Sequence, residues 1–119
     1  MILLHGTTRL RAESIVQDGP NARFHEPGGQ AWRDGFSMNL EAGPFLFGGP
    51  EDYARGKDRE FPSEGGPVIL AIDVPDEIVL RAVSDWFPLS QGLVQFDPGA
   101  GLEELAAAWT TLAKEIRSL

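Results

Sequence analysis

Cysteine is absent from this 119-residue chain, which excludes disulfide bonds, thiolate metal ligands and cysteine nucleophiles. No apolar run approaches the roughly 20 residues that a membrane-spanning helix requires. The first five residues lack the basic start and the long apolar stretch of a signal peptide. These absences favour a cytoplasmic protein with no membrane partner, and they are also compatible with a protein that is delivered to another cell.

Basic residues are few. The chain has 10 Lys and Arg against 18 Asp and Glu, which gives a formal net charge of −8. A protein this acidic repels a phosphate backbone unless its arginines are gathered in one place, so general nucleic-acid binding is not expected. The hydrophobic fraction of 42% and the charged fraction of 24% are typical of a globular protein, and the length predicts a single domain over residues 1–119.

Glycine and proline are abundant, with 14 and 9 residues, and most of them lie between residues 19 and 67. This stretch is predicted to be mostly loop. Outside it, apolar and alternating segments predict strands at Ile2-Leu3-Leu4, Phe36–Leu40, 68–74, 78–83 and Leu93–Phe96. Helices are predicted over Arg9–Asp18, with Thr7 or Thr8 as the cap and Gly19 as the stop, and over residues 50–56.

The C-terminal segment carries a helical pattern. Apolar residues recur there at spacings of three and four, at Leu102, Leu105, Trp109, Leu112, Ile116 and Leu119. Acids come first and bases last, as the helix dipole favours, so one amphipathic helix is predicted over residues 102–119. The predicted fold is therefore α+β, a single small domain of short, mostly antiparallel strands with an N-terminal helix and a C-terminal amphipathic helix.

His5 is the most suggestive polar residue, because it ends an apolar strand and is followed by Gly6. A histidine at a strand end, beside a glycine that lets a ligand or another backbone approach, is typical of a binding cleft. The alternative is a histidine that only ends the strand and bonds a nearby carbonyl. The other histidine, His25, lies in a polar stretch and is predicted to be a solvated loop residue.

Other site chemistries have little support in the sequence. The two histidines are 20 residues apart and match no metal-ligand spacing, so no metal is predicted. No Gly-x-Ser-x-Gly elbow accompanies the serines, and the glycine-rich pieces lack the spacing and the lysine of a phosphate loop.

Several short motifs, taken in order, resemble the ADP-ribosyltransferase fold. Diphtheria-toxin-like transferases, poly(ADP-ribose) polymerases and RNA 2′-phosphotransferases share that fold. The motifs are Leu3-Leu4-His5-Gly6-Thr7-Thr8 for the first strand, Gly35-Phe36-Ser37-Met38-Asn39 for a second, Tyr53-Ala54-Arg55 for the helix that follows, and Phe96-Asp97-Pro98 after a later strand. Together they span most of the chain.

The resemblance implies NAD chemistry, with NAD as a substrate and ADP-ribose passed to an acceptor. In the family, the strand-end histidine bonds the adenosine ribose, the next glycine holds the nicotinamide amide through its backbone, and a tyrosine stacks on the nicotinamide ring. Carried over, these roles fall to His5 and Gly6, with Thr7 or Thr8 supporting the ribose. Phe36 or Ser37 stands at the tyrosine position, depending on a register shift of one residue.

The family's catalytic glutamate has no counterpart in this chain. The nearest candidates are Gln91 and Gly92, with Gln95 further along, and Gln91 is the predicted substitute. An amide can bond a ribose hydroxyl but brings no negative charge to a cationic transition state. Three functions therefore remain open: an ADP-ribosyltransferase, a catalytically silent member that binds NAD, ADP-ribose or a protein, and an interaction module unrelated to NAD.

Arginines bear on one further alternative, an RNA 2′-phosphotransferase, which needs several of them around a phosphate. Arg9, Arg11, Arg23 and Arg33 are available near the predicted cleft. The competing interpretation of the first two is that Arg9 and Arg11 form the exposed face of the first helix.

Overall fold

The computed structural model describes residues 1–20, 35–83 and 88–119. In these residues, five strands form one antiparallel sheet with β1 at its centre, in the order β4-β2-β1-β3-β5. The strands are β1 (Ile2–Thr8), β2 (Phe36–Leu40), β3 (Pro67–Asp73), β4 (Leu93–Phe96) and β5 (Lys114–Ser118). The α-helices are α1 (Arg9–Asp18), α2 (Pro50–Glu60), α3 (Asp76–Ala82) and α4 (Leu102–Ala108). The α+β class and the mostly antiparallel strands are confirmed.

The two faces of the sheet are covered by different helices. One face carries the main core, where strand residues such as Leu3, Leu70 and Phe96 pack with Ala12 of α1, Val79 of α3 and Leu105 of α4. The other face is covered by α2, which lies against β1 at Gly6. Because successive residues of a strand point to opposite faces, the odd-numbered residues of β1 face the core and the even-numbered ones face α2.

The first helix forms as predicted. Thr8 caps α1, since its Oγ1 accepts a hydrogen bond from the Arg11 N–H at 3.4 Å. Gly19 follows the last turn at φ 99°, and its N–H donates to the Ile15 carbonyl. The preceding strand differs from the prediction: β1 does not end at His5 but continues to Thr8, because it pairs with β3 over its whole length.

Two predicted elements in the middle of the chain are different in the structure. Helix α2 continues through Gly56 to Glu60, four residues beyond its predicted end. The strand predicted over residues 78–83 is wrong, because Asp76–Ala82 is a helix. Its signals are a proline just before the first turn, Asp76 and Glu77 in that turn and Arg81 in the last turn, all of which favour a helix over a strand.

The single C-terminal amphipathic helix is also wrong. Helix α4 ends at Ala108, a 3₁₀ turn follows at Trp109–Thr111, and Lys114–Ser118 forms the edge strand β5 against β3. The Thr111 hydroxyl donates to the Ala108 carbonyl at 2.7 Å, which competes with continuation of the helix. The edge of β3 then supplies backbone partners for residues 113–118 that a longer helix could not use.

Some predictions lie outside the described residues. His25, Arg23 and Arg33 fall within residues 21–34. Within the described ranges, no helix has the length and apolar character to cross a membrane.

Candidate functional site

The backbone groups of the central strand β1 point alternately toward β3 and toward β2. The Arg9 N–H donates to the Gly66 carbonyl at 3.0 Å, and the Val74 N–H donates to the Met1 carbonyl at 2.9 Å. In the antiparallel register of β1 and β3, these bonds direct the backbone groups of odd-numbered β1 residues toward β3. The backbone N–H and C=O groups of Gly6 therefore point toward β2.

Pairing between β1 and β2 stops before it reaches Gly6. Across the residues that the structure describes in these strands, only Leu3 with Leu40 and Leu4 with Asn39 are paired. Continued in register, the ladder would place Gly6 opposite Ser37. The Ser37 carbonyl instead lies 2.6 Å from Nδ1 of His5. We call the missing backbone pair between Gly6 and Ser37 the open rung.

The His5 ring makes two contacts with β2 beside this gap. A carbonyl oxygen only accepts hydrogen bonds, so Nδ1 carries the proton and donates to Ser37. The ring also stacks on Phe36, with centroids 4.5 Å apart and planes 26° apart. Phe36 in turn meets Trp109 edge-on at 6.2 Å, and the Trp109 indole N–H donates to the Val16 carbonyl at 3.0 Å. The carbonyl bond expected from the plainer interpretation of His5 is thus present, and it gives the Ser37 carbonyl a partner other than the backbone of Gly6.

Gly6 lies in close contact with the first turns of α2. A Cβ atom at this position would be 1.9 Å from the Pro50 carbonyl oxygen and 2.8 Å from the Ala54 nitrogen. No side chain fits there without displacing backbone. Gly6 therefore has a packing role in the fold, whatever its role in binding.

The other predicted binding residues fall on different faces of the sheet. Phe36 is buried and faces the core with His5, so its ring supports His5. Thr7 is buried on the same face, opposite Val68, which places its side chain away from α2. The Ser37 side chain points to the α2 side, at the level of Gly6.

A chain of polar side chains begins at Ser37. Its hydroxyl donates to Oε1 of Gln95, and Nε2 of Gln95 donates to Oδ1 of Asp97 at 2.9 Å. Gln95 is 2% exposed and lies directly opposite Ser37 in the register of β2 and β4. The chain therefore joins the open rung to a carboxylate.

Gln91, the predicted substitute for the glutamate, lies elsewhere. It ends the 3₁₀ turn Leu89–Gln91, beyond the end of β4 that pairs with Asn39, whereas the open rung lies toward the other end. Its backbone carbonyl accepts from the Leu46 N–H at 3.1 Å, and its side-chain oxygen is buried with no hydrogen-bond partner among the described residues. The structure brings together His5, Gly6, Phe36 and Ser37, and it joins Gln95 rather than Gln91 to them.

The first two arginines do not form an exposed basic face. Arg11 is buried, with its Nε 2.7 Å from Oε1 of Glu64 and its guanidinium 3.9 Å from the Phe61 ring centroid. The hydrogen bond from Arg11 holds the pKa of Glu64 below its usual value, and the Thr8 hydroxyl also lowers it. Arg9 donates to the Ser118 hydroxyl at 2.7 Å. The exposed-face prediction is therefore wrong for Arg11, whose charge is neutralised by Glu64.

Comparisons with known proteins do not assign this chain to a family: no protein-family model matches it, and neither the curated proteins nor the solved structures gave a significant match. In the part of the chain that the structure describes, no group of three or more His, Asp or Glu side chains is arranged to hold a metal ion. The site thus has to be interpreted from its own geometry.

Proposed function

We propose that this protein binds NAD at the open rung and transfers its ADP-ribose group to an acceptor. The observation that carries the proposal is that Gly6 has no backbone partner on β2 among the described residues, while the Ser37 carbonyl bonds His5 instead. The resemblance of the first strand to the ADP-ribosyltransferase fold supports it.

The open rung is complementary to a carboxamide. Gly6 directs one N–H donor and one C=O acceptor toward β2, and buried backbone groups of this kind require partners. The carboxamide of nicotinamide has a carbonyl acceptor and an NH₂ donor on adjacent atoms. It can therefore pair with Gly6 much as a residue of a neighbouring strand would.

The remaining roles follow from the resemblance and the local geometry. His5 bonds the adenosine ribose, and Phe36 and the Ser37 carbonyl fix the orientation of its ring. Ser37 lies next to Gly6 on the α2 side, and its hydroxyl oxygen can accept a hydrogen bond from the nicotinamide ribose while it donates to Gln95. Thr7 acts behind the site, as part of the core.

In the proposed reaction, the bond between ribose C1′ and the nicotinamide nitrogen breaks, and nicotinamide leaves with the bonding electron pair. The acceptor then bonds to C1′ and gives up its proton. The charge that helps the ribose carbon become cationic comes from Asp97, through the Gln95 amide. Gln91 remains the residue predicted from the sequence for this role, and Gln95 is the alternative that its contact with Ser37 favours.

One observation favours a second candidate function, a silent binder of NAD or ADP-ribose. The residue that contacts Ser37 is a neutral amide, and the Asp97 carboxylate already accepts a hydrogen bond from it. A site built this way can hold the ligand and still leave the glycosidic bond intact. An RNA 2′-phosphotransferase is disfavoured, because Glu64 neutralises Arg11.

The test is nicotinamide release from NAD, followed by proton NMR, with thermal denaturation in the presence of NAD as the binding measurement. Two variants each remove one contact of His5 and keep the other. His5→Asn keeps a donor close to the position of Nδ1, and His5→Phe keeps the stacked ring but removes the donor. We expect release by the wild type, at least about tenfold slower release by both variants, and a folded protein in each case.

The outcomes distinguish the two candidates. NAD that raises the melting temperature without any nicotinamide release identifies the silent binder. The absence of both nicotinamide release and a shift in melting temperature would contradict NAD binding altogether.

A further inference from the structure

The strand β5 forms an edge of the sheet that is suited to a second copy of the same chain. The Asp73 N–H donates to the Ala113 carbonyl at 3.0 Å, which directs the backbone groups of odd-numbered β5 residues toward β3. The N–H and C=O groups of Lys114, Ile116 and Ser118 consequently point outward. Along this edge, no strand among the described residues pairs with them.

Several features leave this edge unprotected. Natural edge strands are often guarded by an outward lysine, a proline or a bulge. Here the Lys114 ammonium folds back onto the Leu112 carbonyl at 2.8 Å and contacts the Trp109 ring, and the strand contains no proline. The backbone groups of β5 are thus available for pairing.

The alternation of β5 allows three closely spaced antiparallel pairings with a second copy. Residues whose backbone groups point outward must pair with residues of the same kind in the second copy. The two-fold axis therefore passes through residue 115, 116 or 117. An axis at residue 115 sets two Glu115 side chains opposite each other, and an axis at residue 117 does the same for Arg117. Like charges directly opposite each other destabilise a strand pair.

An axis at Ile116 gives the complementary arrangement. Glu115 of each copy then lies opposite Arg117 of the other copy, so the two-fold axis relates two such pairs. These are non-hydrogen-bonded positions, where facing side chains approach most closely. Within one chain the same two residues already form an exposed ion pair, with Arg117 Nε 3.3 Å from Glu115 Oε2, so both side chains lie in position for an exchange of partners.

We propose that two copies of this chain associate through antiparallel pairing of β5 about Ile116, which joins their sheets into one continuous sheet. A five-residue edge is small compared with the interfaces of stable dimers, so the association is expected to be weak and to depend on concentration. Two monomers with a net charge of −8 repel each other, which opposes the association. Salt screens this repulsion, so the dimer is expected to be more stable at moderate salt than at low salt.

Charge reversal tests both the association and its register. Sedimentation velocity of the wild type at concentrations up to about 1 mM is expected to show a monomer–dimer equilibrium. Glu115→Arg and Arg117→Glu each place like charges opposite each other and should weaken the dimer about tenfold or more. The double variant, with both substitutions, restores opposite charges and should restore the dimer.

The decisive experiment mixes the two single variants. The arginine introduced in Glu115→Arg would face the glutamate introduced in Arg117→Glu, and on the other side of the axis the unchanged Arg117 of the first variant would face the unchanged Glu115 of the second. Opposite charges therefore meet at both positions, so the mixture should form a heterodimer that neither variant matches alone, detectable by native mass spectrometry.

An exposed substitution elsewhere provides the control for net charge. Glu41→Arg changes the net charge by the same amount as Glu115→Arg and should leave the equilibrium close to that of the wild type. A monomeric wild type, an unaffected Glu115→Arg dimer or a mixture without heterodimer would each overturn the proposal.

Discussion

Replacement of Gly6 by alanine is expected to lower the free energy of unfolding by about 3 kcal/mol, at the upper end of the cost of overpacking. The new Cβ would lie 1.9 Å from the Pro50 carbonyl oxygen, so the first turn of α2 must move away from the sheet. The three nearest atoms of α2 all belong to backbone, which cannot rotate aside as a side chain can. Chemical denaturation with urea measures the effect.

Gly56→Ala provides the matched control. Gly56 lies inside α2, and the nearest atom to a Cβ there is the end of the Arg59 side chain at 3.8 Å. The same substitution at this position should stabilise the protein by about 0.5–1 kcal/mol, because alanine loses less backbone entropy in a helix. If both substitutions changed stability equally, the packing described for Gly6 would be wrong.

The second large effect is expected for Arg11→Met, which should lower the free energy of unfolding by about 3 kcal/mol. The substitution removes a buried partner of Glu64 and leaves that carboxylate with the Thr8 hydroxyl as its remaining side-chain contact within hydrogen-bond distance among the described residues. Methionine has a flexible apolar side chain that can pack there, but the substitution also removes the guanidinium that lies over the Phe61 ring. Arg55→Met, which removes an exposed pair with Glu51, should cost no more than about 0.5 kcal/mol.

The same ion pair predicts a pH dependence with a definite sign. Because the pKa of Glu64 is lower in the folded protein, the folded state holds this proton less tightly than the unfolded state. The stabilisation is therefore complete above the pKa of a glutamate in the unfolded state, about 4.3, and it is lost as the pH falls through the pKa of Glu64 in the folded state. The difference in stability between wild type and Arg11→Met should accordingly shrink below about pH 4, and a constant difference would contradict the assignment.

The N-terminal part of the fold could be predicted because its signals are local. Thr8 and Gly19 bound α1 through contacts within a few residues, and the alternation over Phe36–Leu40 identifies β2 without any knowledge of its neighbours. The C-terminal segment could not be assigned in this way. Its apolar spacing suits a helix, and what decides the structure is the free edge of β3, a partner more than 40 residues away in sequence.

The candidate site shows the same division. His5 and Gly6 stand out in the sequence because of their types and their position after an apolar run. The sequence also carries a signal for Gln95 and Asp97. Gln95 is a polar residue between apolar ones, and Asp97 follows two positions later, so the two share a strand face. Their relevance depends on the pairing of β2 with β4, which sets Gln95 opposite Ser37 and leaves Gln91 at the far end. Register of this kind is a tertiary property.

The open rung at Gly6 is tested most directly by the backbone amide of Gly6 in a ¹H–¹⁵N spectrum during titration with NAD. This resonance is expected to move downfield and to saturate, because the amide donates to the carboxamide, whereas the Gly56 amide in α2 should stay in place. ADP-ribose, which lacks the carboxamide, should shift residues around His5 but not the Gly6 amide in this manner. A Gly6 resonance that remains unchanged at about 10 mM NAD would contradict the claim that a ligand amide completes the sheet at this position.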